Sequence, residues 1–129
     1  MERTRELIKS LGEFGFDDSV NFNAAIFDVE TLSMIRLVIR DNFTRTKIIR
    51  DLDLTQSYPL KHKIENYFRE IEHPLYITNG LLIYAMYLEG YRVRRVKNSI
   101  NAYFDVSTAS VRKFMKKINA KGRSQCKEI

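Results

Sequence analysis

The sequence predicts an all-α protein, a compact helical bundle of seven or eight helices that ends in a helix-turn-helix. Only five Gly and two Pro punctuate its 129 residues. Apolar residues recur at three- and four-residue intervals through most of the chain, and no long run of β-branched residues alternates with polar ones. With 44% hydrophobic residues the chain has enough apolar surface for one core.

The elements follow in order. Residues 2–11 set Leu7, Ile8 and Leu11 on one face of a short helix, which Gly12 and Gly15 end, and a weaker helix is expected near 18–26. Residues 29–42 place Leu32, Ile35 and Ile39 along one stripe with Val38 beside it. Residues 45–52 and 58–72 read as two further helices. Pro59 suits the first turn of the second, where its missing amide proton is not needed. Thr78 or Asn79 can cap a helix over 79–89, which is apolar nearly all round and therefore central, before Gly90 stops it.

Residues 93–119 read as two helices joined by a tight turn at Asp105, Val106 and Ser107. Val93, Val96, Ile100 and Phe104 line the inner face of the first. Val111, Phe114, Met115 and Ile118 line that of the second, and Val106 fills the corner. Ser107 is a good N-cap, leaving free amides near Thr108 and Ala109 where a phosphate could be received.

The charge distribution points at the same region. Residues 1–43 hold 5 basic and 8 acidic side chains, residues 44–90 hold 6 and 6, and residues 91–129 hold 11 and 2. These sum to the formal net charge of +6, with +9 in the last third, an electrostatic footprint suited to a polyanion. The expected DNA-contacting residues are Arg94, Arg95 and Lys97 on the first helix, with Ser107, Thr108, Ala109, Ser110, Arg112, Lys113, Lys116 and Lys117 at and along the second. Small residues at the start of the second helix allow close approach to base edges, Arg112 can pair bidentately with guanine, and the lysines suit phosphates.

The helix GLLIYAMYLEG followed by VKNSINAYFDVSTASVRKFMKKI resembles the third to fifth helices of a cyclin-fold repeat of the transcription factor IIB type, including archaeal factor B. With IIRDLDL and 58–72 as the first two helices, the resemblance spans about residues 45–119. It implies a cyclin-box-like unit over 44–119 whose final hairpin enters the major groove beside the TATA element. Carried over by position, the family's base-reading residues fall on Ala109, Ser110 and Arg112. It also implies double-stranded DNA, the TATA-binding protein or other transcription machinery as partners. The family's zinc ribbon cannot be built with one cysteine, Cys126, and 129 residues hold less than two full repeats. The resemblance therefore implies a regulator or an initiation-factor-like protein, not a complete factor.

Residues 1–43 echo the C-terminal segment. Phe27, Asp28, Val29, Thr31 and Ser33 match Phe104, Asp105, Val106, Thr108 and Ser110 at an offset of 77. A remnant of a first cyclin-like repeat and coincidence are both open readings. Residues 120–129 form a basic tail.

An enzyme is not expected: no nucleophile stands beside a base, no metal-ligand cluster is spaced for binding, and no glycine-rich phosphate loop follows a strand. No cofactor is expected either. His62 and His73 lie eleven residues apart, and the pairs Asp17–Asp18 and Asp51–Asp53 suit turns and caps. No segment reads as a signal peptide or membrane span, so an intracellular, nucleoid-associated protein without membrane contact is expected. The competing expectation is a cyclin-fold module that docks a partner protein without specific DNA binding.

Overall fold

A computed structural model describes residues 2–128, with side chains from 3 to 118. The expected basic tail, 120–129, and Cys126 lie outside the described side chains. Among the described residues the chain forms five α-helices, two short 3-10 turns and two small antiparallel sheets. The order is α1 (Glu2–Ile8), β1 (Leu11–Gly12), β2 (Gly15–Phe16), α2 (Val29–Asn42), α3 (Ser57–Glu70), α4 (Asn79–Leu88), β3 (Val93–Arg95), β4 (Ala102–Phe104) and α5 (Thr108–Glu128). This overturns the all-α bundle of seven or eight helices.

The core forms around α4. Leu82, Ile83, Ala85 and Met86 are fully buried, and the long side chains among them each contribute about 1.5–3 kcal/mol of transfer free energy. Thr78 caps the helix by accepting the Leu81 amide. The helices α2 and α3 pack against α4, presenting Ile35, Val38 and Ile39 from one and Leu60, Ile64 and Phe68 from the other. Asp28 caps α2 by accepting the Thr31 amide and the Thr31 hydroxyl, and those two contacts hold the Asp28 carboxyl below its ordinary pKa. Glu89, at the C-terminal end of α4, receives Arg36 at 2.6 Å and Arg40 at 2.9 Å, tying α2 to α4.

The hairpin β1–β2 rides on the start of α4 so closely that side chains are excluded. A Cβ on Gly80 would lie 1.9 Å from the Gly12 carbonyl oxygen, and one on Gly15 2.2 Å from that of Ile100. Gly15 also adopts φ +127°, a region that glycine enters without the usual Cβ clash. Asn79 joins the hairpin tips, its Nδ2 donating to the carbonyls of Phe14 and Ile100 and to Asn101 Oδ1.

Three expected helices are absent. Residues 18–26 supply one 3-10 turn at Ala24–Ile26. Residues 45–52 form an irregular strap, with Arg45 bridging Val106 and the Thr46 amide donating to the Asp105 carbonyl at 2.7 Å. Residues 93–104 form a β-hairpin in the register Val93–Phe104, Arg94–Tyr103, Arg95–Ala102. Its turn closes with Ser99 N–H on the Val96 carbonyl, and Asn98 takes φ 57°. The helix-turn-helix is therefore absent because its first helix is a strand pair. Ile100, expected inside, is 49% exposed.

Candidate nucleic-acid interface

Helix α5 starts where β4 ends, and its first turn is fixed from two sides. Ser107 caps it, accepting the Ser110 amide at 3.2 Å, while the Ser107 amide donates to the Thr44 carbonyl at 2.8 Å. Ser110 Oγ donates to the Ser107 carbonyl at 2.7 Å and accepts the Thr44 amide. Ser107 is the N-cap that the sequence led us to expect, whereas Ser110, expected to face outward, is engaged within the fold. Val111, Phe114 and Ile118 form the buried stripe, with Phe114 edge-on to Phe43.

The opposite face carries Ala109, Arg112, Lys113, Lys116 and Lys117, all exposed. None of these four cations is in an ion pair with a carboxylate among the described residues. Arg112 approaches Thr108 Oγ1 at 3.5 Å, and Lys117 lies 3.5 Å from Asn42 Oδ1. Lys113, Lys116 and Lys117 line one side of a groove whose other side is Asp41 and Asn42 at the end of α2.

The remaining predicted cations lie elsewhere and, with one exception, are occupied. Arg94 is paired with Asp51 and lies over the Tyr103 ring. Arg95 reaches Asp18 at 2.8 Å and donates to the Ser99 carbonyl. Lys97, at the hairpin turn, is exposed and makes no ion pair among the described residues. Extended chain from Asn101 to Ser107 puts that turn roughly 20 Å from the start of α5, at about 3.3 Å per residue. The structure therefore divides the predicted residues into a free α5 cluster and a separate, largely neutralised hairpin.

The sequence placed Asp105 in the turn between two helices, and the structure gives it another role. Its side chain is 0% exposed. It accepts Arg45 Nη2 at 3.0 Å, Arg92 Nε at 3.2 Å and the Arg92 amide at 2.9 Å, and Arg92 also donates to the Lys47 carbonyl. A buried carboxylate needs such partners. The pairing of Arg45 and Arg92 around a distant Asp leaves no local spacing to read.

Among the described residues no group of three or more His, Cys, Asp and Glu side chains could hold a metal ion, and no helix is long and apolar enough to cross a membrane. The Asp17 carboxylate accepts the Ser19 amide and hydroxyl in a turn, which lowers its pKa.

Compared with known proteins, the chain matches no family model, no curated protein and no solved structure. The resemblance to a cyclin-fold repeat took two helices over 93–119 as its last two and 45–52 as its first. With a strand hairpin in place of the first, that family's docking geometry does not transfer by position.

Proposed function

We propose that this protein binds double-stranded DNA through the exposed face of α5, as a transcription regulator without a helix-turn-helix. The observation that supports the reading most is the state of the cations. Arg36, Arg40, Arg45, Arg92, Arg94 and Arg95 are each engaged by a carboxylate, whereas Arg112, Lys113, Lys116 and Lys117 project together from one helix face with none among the described residues. Free cations aligned along a helix displace condensed counterions from a phosphate backbone, which drives binding irrespective of sequence. Arg112 lies one turn into α5 beside the small Ala109, a position from which a guanidinium reaches base edges.

The test is the salt dependence of binding to a fluorescent duplex of about 20 base pairs, chosen to cover two helical turns. Four to six phosphate contacts give a log-log slope of about −3.6 to −5.4. Affinity unchanged between low and physiological salt removes the reading.

A second reading, docking of a basic protein segment, is favoured by a cavity between the starts of α2 and α4. Glu13, Ile26, Asp28 and Tyr76 line it, and the exposed Val29 stands beside it. Loss of salt-dependent DNA binding with retained protein association would favour that reading.

A further inference from the structure

We infer that the strap after α2 is a second DNA-contacting element: Lys47 and Arg50 bind phosphates of the duplex engaged by α5, and Ile48 packs on the sugars between them. The inference rests on the DNA reading of α5 and extends it to a segment with no sequence-level claim on DNA, since 45–52 was expected to be an ordinary helix.

The strap is joined to the start of α5 by backbone hydrogen bonds. Thr44 accepts the Ser107 amide and donates its own amide to Ser110 Oγ, Arg45 bridges Val106, and Thr46 donates to the Asp105 carbonyl. The pairing is antiparallel, so the strap runs back from the helix start, and Lys47, in the bend that follows Thr46, is at most roughly 10 Å from Thr44 along the chain. Arg112 and Lys116 lie about 6 and 12 Å along the helix from Thr108, at 1.5 Å per residue. Along this path Lys47 stands at most roughly 16 Å from Arg112 and roughly 22 Å from Lys116, a span that reaches across one major groove about 12 Å wide, so cations on both elements can reach phosphates flanking it.

The chemistry of the strap fits that partner. Lys47 and Arg50 are exposed and make no ion pair among the described residues. Between them Ile48 is 58% exposed, in irregular chain where no packing requires an apolar residue. An exposed aliphatic side chain flanked by cations suits the mixed surface of a nucleic acid, phosphates beside apolar sugar edges. The strap is also held rigidly, because Arg45 is clamped on buried Asp105 and Arg92 grips the Lys47 carbonyl. A preformed loop avoids much of the ordering cost of binding.

The experiment compares salt slopes on one duplex for the full chain, Lys47→Gln/Arg50→Gln, Lys113→Gln/Lys116→Gln and Ile48→Ser, with circular dichroism confirming equal folding. Exposed substitutions of this kind leave stability within about 0.5 kcal/mol. Six contacts in the parent give a slope near −5.4, and each double variant brings it to about −3.6. Ile48→Ser is expected to weaken binding about fivefold with the slope unchanged. If the strap variant keeps the parental slope while the helix variant loses about two contacts, the strap inference is overturned and the α5 reading stands. If the parent itself shows no salt-dependent binding, both fall.

Discussion

The β3–β4 hairpin together with Arg92 just before it, and the described part of helix α5, carry four cations each in the sequence, yet the fold treats most of their charges in opposite ways. Arg92, Arg94 and Arg95 each meet a carboxylate contributed from elsewhere in the chain, Asp105, Asp51 and Asp18. Arg112, Lys113, Lys116 and Lys117 meet none among the described residues, and neither does Lys97 at the hairpin turn. A +9 excess counted along residues 91–129 therefore overstates the hairpin and describes α5 well. Net charge in a segment shows where a polyanion could bind; only ion pairing across the fold shows which cations remain available to it.

The largest effect that sharpens this contrast is expected at Asp105. Asp105→Ala strips two arginines and the Arg92 amide of their acceptor in a buried position. The cost should be about 2–4 kcal/mol, below the upper range for a buried pair because Arg45 and Arg92 reach solvent. Urea denaturation measures it. A loss under about 1 kcal/mol would mean that the cluster does not anchor the strap to α5.

Next in size is an acid-sensitive element. Hydrogen bonds from Arg40 and then Arg36 hold the Glu89 pKa below 4.5, against the opposing effect of its burial. Because the folded-state value is depressed, this stabilisation is complete above about pH 4.5 and disappears as pH falls through the lower folded-state value. Glu89→Gln should flatten the acid side of the stability curve, measured by thermal melts between pH 3 and 6. An unchanged acid limb would place the sensitivity elsewhere.

The smallest effect is expected at the hairpin surface. Asp18 is 83% exposed, and Asp18→Ala should alter stability by no more than about 1 kcal/mol. It frees Arg95 without adding it to the α5 face, so DNA affinity should barely change. A marked gain in binding would show that the hairpin cations belong to the interface after all.

What could be read from sequence follows how local each interaction is. Helix α2 forms over Val29–Asn42, where its apolar stripe placed it, and α4 is buried as its all-round apolar surface required. Both carry their signals within one element. The hairpin was misread because Val93, Val96, Ile100 and Phe104 are spaced as on a helix, while the burial that decides the matter alternates along Ala102, Tyr103 and Phe104. Asn98-Ser99 was the available turn signal. The strap lost its expected helix to backbone pairing with residues about sixty positions away. The echo between residues 27–33 and 104–110 also parts in space, since Asp28 is an exposed helix cap and Asp105 a buried acceptor. The α5 cations were legible because one helical face holds them; that Ser107 and Ser110 face the strap was not.

The contrast between α5 and the hairpin is tested most directly by removing equal charge from each and measuring the salt slope on one duplex. Arg112→Gln/Lys116→Gln should make the slope less negative by about 1.8, and Arg94→Gln/Arg95→Gln should leave it within about 0.5 of the parent. Equal losses from both pairs, or a larger loss from the hairpin pair, would contradict the assignment of DNA binding to the free face of α5.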